Sequence, residues 1–154
     1  MKRTIAFALI ILTAACGEKK AATTDTTQAA TTAAAAPAAA PMPTVTIVSP
    51  AEGDSTGHDV TVVLTKQNVT IAKADAARAE GIGHYHLFLD TVPTMDTLPI
   101  PPATKTIVHI GTGDSTYTFK GLTPGEHQII ALIGYGNHVP MPSVMDTVRF
   151  VVKK

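Results

Sequence analysis

The chain predicts an all-β domain, an antiparallel sandwich of about seven or eight strands. Two observations carry this. Short runs alternate apolar and polar residues with a period of two, and turn chemistry separates most of them. A third observation narrows the core: with one cysteine and no tryptophan in 154 residues, it must rest on aliphatic side chains. Seven or eight short strands in about 110 residues is the pattern of an immunoglobulin-like sandwich. The Cys…Trp…Cys hallmark of antibody domains is absent, so the expectation concerns architecture alone.

The strands follow in order. TVTIVSP opens the domain, with Val45 and Ile47 on one face and a Ser-Pro stop, and AEGD is a turn. In DVTVVLT, Val60, Val62 and Leu64 alternate with Thr61 and Thr65. HYHLFLD is the next strong strand. KTIVHIG (105–111) and STYTFK (115–120) flank GTGD, which reads as a hairpin turn. LTPGEHQIIALIGYG is a Pro-Gly turn running into a long strand, and DTVRFVVKK closes the chain with Val148, Phe150 and Val152 in step. Segment 67–83 is the exception: it reads as a short strand over 69–72 and one helical turn over 75–80, with solvated charges.

Ahead of the domain (44–154) lie two segments of different character. Residues 1–15 read as an export signal: Lys2 and Arg3 are followed by an apolar run well short of the roughly 20 residues that span a bilayer. The stretch LTAAC resembles the lipobox of bacterial lipoproteins, which makes Cys16 the expected lipidation site. A lone thiol can form no intrachain disulfide and would be a liability in an oxidising compartment. Gly17 follows, in place of the aspartate that resembles an inner-membrane retention signal, so the expected location is the bacterial envelope, periplasm-facing, on the outer membrane. Residues 16–43 are rich in Ala, Thr and Pro and read as a disordered tether. Removing residues 1–15 takes Lys2 and Arg3 from the 12 basic side chains and none of the 12 acidic ones, leaving a net charge near −2. No basic patch is visible, which argues against nucleic acid as a partner. The expected contacts are the membrane, through the lipid, and an envelope protein of unknown identity.

The chemistry concentrates in GIGHYHLFLD. In a strand, His84, His86, Phe88 and Asp90 share one face and Tyr85, Leu87 and Leu89 the other. The second set is the natural core face, which leaves the two histidines on the outer face, Cα atoms roughly 6.6 to 7 Å apart. Two imidazoles at that spacing can converge on one ion. His109, near a strand end, and His138, in a turn, are the candidates for the remaining ligands. Asp90 is a candidate second-shell carboxylate, and Met141 and Met145 are further candidates, since thioethers suit copper(I). The implied cofactor is copper or zinc. Against this stands a bland reading, in which the pair lies on an exposed strand face and serves hydrogen bonding. His127 begins a strand after a turn and His58 lies in a loop; neither is assigned a role.

Taken together, SPAEGD, GIGHYHLFLD, VHIGTGDST and LTPGEHQIIALIGYGNHVPMPSVMD resemble a bacterial envelope family, domain of unknown function family 4399, over roughly residues 46–150. Its pattern falls on Gly83, His84, His86, Leu87, Asp90, His109, Gly111, Pro124, Gly125, His127, Asn137, His138, Pro140 and Met145. Tyr85 stands where the family has a middle histidine; by alternation it points to the other face. The resemblance implies a fold and a shared site, and no activity. No nucleophile elbow, His-Glu-x-x-His or phosphate loop is present, so the chain is not expected to be an enzyme. The expected function is a non-catalytic binding module; the alternative is a structural or protein-interaction module of the envelope.

Overall fold

A computed structural model describes residues 41–154 apart from Ala76. The expected export signal, Cys16 and most of the expected linker lie outside the described residues. Nine strands form, and no helix occurs among the described residues. They are β1 (Thr44–Ser49), β2 (Ser55–Thr56), β3 (Val60–Gln67), β4 (Thr70–Ile71), β5 (Ile82–Leu89), β6 (Ile107–Ile110), β7 (Thr116–Phe119), β8 (Gly125–Gly134) and β9 (Pro140–Val152). β4 falls within the short strand expected over 69–72, and the two-residue β2 is the one piece not expected.

The strands make two sheets, β1-β3-β7 and β2-β9-β8-β5, with β4 and β6 sharing the remaining edge of β5. Pairing is antiparallel except for β2 with β9 and β4 with β5. The alternation read from the sequence fills the space between the sheets. Val45 and Ile47 meet Val62, Leu64, Leu87, Ile129, Ile133 and Phe150 in one apolar cluster. Each such side chain, fully buried, contributes roughly 1.5–3 kcal/mol against exposure. The sheets are also tied at one edge, where the Ile47 amide donates to the Asp146 carboxylate at 2.8 Å. This is the all-β sandwich the sequence predicts.

Three local expectations fail. The GTGD turn is not a hairpin: β6 pairs with β5 in the larger sheet and β7 with β3 in the smaller. The turn therefore carries the chain between sheets, because Phe119 finds its burial in register with Val60. The described residues of segment 75–80 form no helical turn. Ala79 bridges to Ile82, the Arg78 guanidinium lies over the Tyr135 ring at 4.2 Å, and the Tyr135 hydroxyl donates to Glu80 at 3.1 Å. Arg78 and Glu80 bracket the aromatic ring while staying largely exposed, in keeping with the expected solvated charges. Finally, the outer face of β5 is not exposed. Residues 91–106 cross it as a strap, and Ile100 plugs a second small core with Phe88, Ile107, Ile130 and Leu132.

Candidate metal centre

Alternation in β5 sends Tyr85 and Leu87 into the main core and His84 and His86 to the opposite face, under the strap. Antiparallel register sets His109 of β6 directly opposite His86. The turn between β8 and β9 brings the fourth ring. There His138 takes a left-handed φ of 65°, and its amide donates to the Tyr135 carbonyl at 2.8 Å. The strap is fastened over the group at two points. The Ile100 amide donates to the His138 carbonyl at 2.8 Å, and His109 Nε2 donates to the Pro101 carbonyl at 3.0 Å. His84 is 1% exposed and His86 0%.

The four rings form a closed group. Centroid separations are 4.5 Å for His84–His86, 6.4 Å for His84–His109, 4.8 Å for His84–His138, 4.3 Å for His86–His109, 5.7 Å for His86–His138 and 5.1 Å for His109–His138. They average about 5.1 Å. Four imidazoles around a tetrahedral ion, with metal–nitrogen bonds of about 2.0–2.1 Å, would stand roughly 5.2 Å apart, centroid to centroid. In the present ring orientations no three His, Cys, Asp or Glu side chains among the described residues meet at ligand distances; the rings pack edge and face against one another. Convergence of the lone pairs calls for rotation about the ring torsions, which are broad and soft.

Room for the rings comes from Gly134, the β8 partner of His84. A Cβ there would stand 2.8 Å from His86 Nε2 and 3.2 Å from Ile100 Cδ1. All four ring nitrogens of His84 and His86 are buried with no hydrogen-bond partner. Buried polar atoms are normally paired, and each orphan costs about 1–3 kcal/mol. Burial, reinforced by the neighbouring histidines, pushes the His84 pKa down to about 4 and the His86 pKa to about 2. Burial also lowers His109, with His138 adding to it and the Pro101 carbonyl opposing it. His84, His86 and His109 are therefore neutral at pH 7, the form that binds metals. A carbonyl can only accept, so His109 carries its proton on Nε2 and keeps its lone pair on Nδ1. That second hydrogen bond, to a backbone carbonyl, is what metal-ligating histidines usually make. A pocket of 520 Å³, lined by Pro99, Ile100, Pro101, Pro102, Ala103, His109 and His138, opens onto the group from the strap side.

The remaining candidates lie elsewhere. Asp90 is not beside the histidine group. β5 ends at Leu89, and a left-handed φ of 51° at Asp90 turns its carboxylate to His127 Nδ1 (2.7 Å) and the Gln128 amide (2.8 Å). His127, unassigned from the sequence, is thus its partner. Met141 is buried in the main core, on the other side of the sheet. Met145 is 39% exposed and pairs with Leu132, which lies between it and His86 in the sheet. His58 clasps a neighbouring loop through the Leu122 carbonyl at 2.7 Å. One residue near the group escaped the sequence reading: the Asp75 carboxylate acts electrostatically on His84, opposing the effect of burial. Nothing local in an Ala-rich segment signals it.

Residues 60–153 match the family described as Domain of unknown function (DUF4399), and the chain belongs to that family. No curated protein matches it. Among solved structures, one described as Clostridium thermocellum CbhA fibronectin(III)-like modules is similar at 12% identity and a TM-score of 0.44, covering 71% of this chain and 95% of that one.

Proposed function

We propose that this domain is a non-catalytic module that binds a transition metal, copper or zinc, through His84, His86, His109 and His138. The observation that carries the reading is the spacing of the four rings, whose mean separation matches that of four imidazoles around one tetrahedral ion. The orphaned nitrogens of His84 and His86 support it, because an ion would take up one buried nitrogen of each ring, for which the fold offers no other partner. The neutral state of His84, His86 and His109 and the fixed tautomer of His109 fit the same use. The domain is carried on a lipoprotein held in the bacterial envelope through Cys16, periplasm-facing on the outer membrane; the LTAAC stretch supports this part. A second reading, a protein-interaction module, draws on Val92 and Leu98, which are exposed apolar side chains on the strap.

Calorimetric titration of the mature chain (residues 16–154, Cys16→Ser to leave it unlipidated) with zinc and copper tests the first part. One ion per chain, bound more tightly than about 1 μM at pH 7, is expected. Exposed histidines would release their ion near pH 6; burial keeps His84 and His86 neutral further down, so binding persists at pH 5. Weak, non-stoichiometric heat at pH 7 would retire the metal reading in favour of the second. Anchoring is checked separately by detergent-phase partitioning of the expressed precursor: wild type enters the detergent phase and the Cys16→Ala chain does not. Equal partitioning of the two would refute it.

A further inference from the structure

We propose that the histidine pocket selects a divalent, imidazole-preferring cation over copper(I), with Asp75 supplying the negative charge that this selection requires. The inference rests on the reading of the four histidines as a metal centre and adds to it the class of ion and a fifth residue.

The first argument concerns sulfur. Copper(I) is favoured by soft thioether and thiolate donors. Both methionines near the histidines in sequence are held away from the pocket: Met141 packs in the main core, and Met145 lies a strand beyond Leu132. The chain's one cysteine, Cys16, is the expected lipid attachment point. The donors left are imidazole and carboxylate, the set that suits zinc and copper(II).

The second argument concerns charge. Four neutral imidazoles leave a divalent ion with its full double charge in a pocket whose innermost ligands are almost without solvent contact. An uncompensated charge there is expensive, and more so for two charges than for one. A neighbouring carboxylate relieves the divalent ion most.

The chain path supplies that carboxylate. Beyond β4 the Ala72 amide donates to the Gly83 carbonyl at 2.8 Å, which leads the following residues past His84. Asp75 and Ala77 then pack on the turn that carries His138. Gly136 allows this, since a Cβ there would collide with Asp75 Oδ1 and the Ala77 carbonyl. Asp75 is thereby held against the turn that carries His138. Asp75 Oδ1 also accepts from the Ala77 amide at 3.0 Å, which fixes the side chain.

The test uses the unlipidated mature chain and its Asp75→Asn and Asp75→Glu variants, titrated with zinc(II), copper(II) and, anaerobically against a chelator, copper(I). Asparagine keeps the oxygen that caps Ala77 and removes only the charge. The expected result is tighter binding of both divalent ions than of copper(I) by wild type. Asp75→Asn weakens the divalent ions roughly 10–100-fold, the scale of loss when a residue supporting a metal ligand is removed. Copper(I) affinity falls by clearly less, the metal-free melting temperature does not move, and Asp75→Glu restores much of the divalent affinity. Tightest binding of copper(I) by wild type, or an Asp75→Asn effect that is absent or equal for all three ions, overturns the inference and leaves the metal centre standing. Failure of wild type to bind any of the three ions overturns both.

Discussion

His86 is the most deeply buried of the four histidines. It is enclosed by rings and by the strap, with neither nitrogen paired. Replacing it with leucine removes two orphaned polar atoms and keeps much of the volume. The metal-free His86→Leu chain is therefore expected to be more stable than wild type by about 1–3 kcal/mol, and to bind no ion. Thermal melting with and without zinc reads both effects, and a lower metal-free melting temperature for the variant would show that the ring stabilises the fold by itself. The His-x-His pair was legible because strand alternation is a strict rule that needs no tertiary knowledge. Met141 was not, because the β8–β9 register shifts between Leu132 and Gly134. Residues two apart on β8 face residues five apart on β9, so parity counted along the sequence no longer reports the face. Asp75 was hidden for a different reason: the short strand expected over 69–72 forms as β4, but nothing local says that it runs parallel beside β5 and so carries Asp75 toward the site.

Elements are joined by a second histidine with the opposite electrostatics. His127, at the start of β8, donates from Nδ1 to Asp90 at the end of β5 and from Nε2 to the Thr123 carbonyl at 2.8 Å. Both partners only accept, so both bonds together require the imidazolium. Burial opposes that charge, but the Thr123 and Asp90 hydrogen bonds and the Asp90 charge outweigh it, and the pKa of His127 is raised. A histidine whose folded pKa lies above its unfolded value stabilises the fold fully below about 6.5 and loses that contribution as pH rises through the folded value. Urea unfolding should accordingly show a larger deficit for His127→Gln at pH 5.5 than at pH 8.5. An equal deficit at both would mean that the ring acts by packing on Phe150, with which it stacks at 5.8 Å. Asp90 was placed beside His86 in the sequence reading because alternation was extended one residue past the strand end, where the left-handed turn cancels it. The GTGD turn misled similarly. Its residues fit a hairpin, but turn chemistry says only that the chain reverses, and the sheet it reverses into is decided by distant burial.

For the molecule as a whole, the two-sheet architecture was legible because each inner-face strand repeats the same two-residue period and the core needs no special contact. The third layer was not. Residues 91–106 hold four prolines and read as connection, yet Ile100 alone gives them a seat on the outer face of the larger sheet. A pattern within one strand shows that a face is apolar or polar; it does not show what returns to cover it. This covering has a consequence in time. Ile100 and the His109–Pro101 bond stand between solvent and His86, and neither belongs to the main core. The strap can lift while both sheets stay paired. Solvent and solute exchange at the deepest ring is then paced by how often sixteen residues open, a rate separable from the stability of the sandwich beneath.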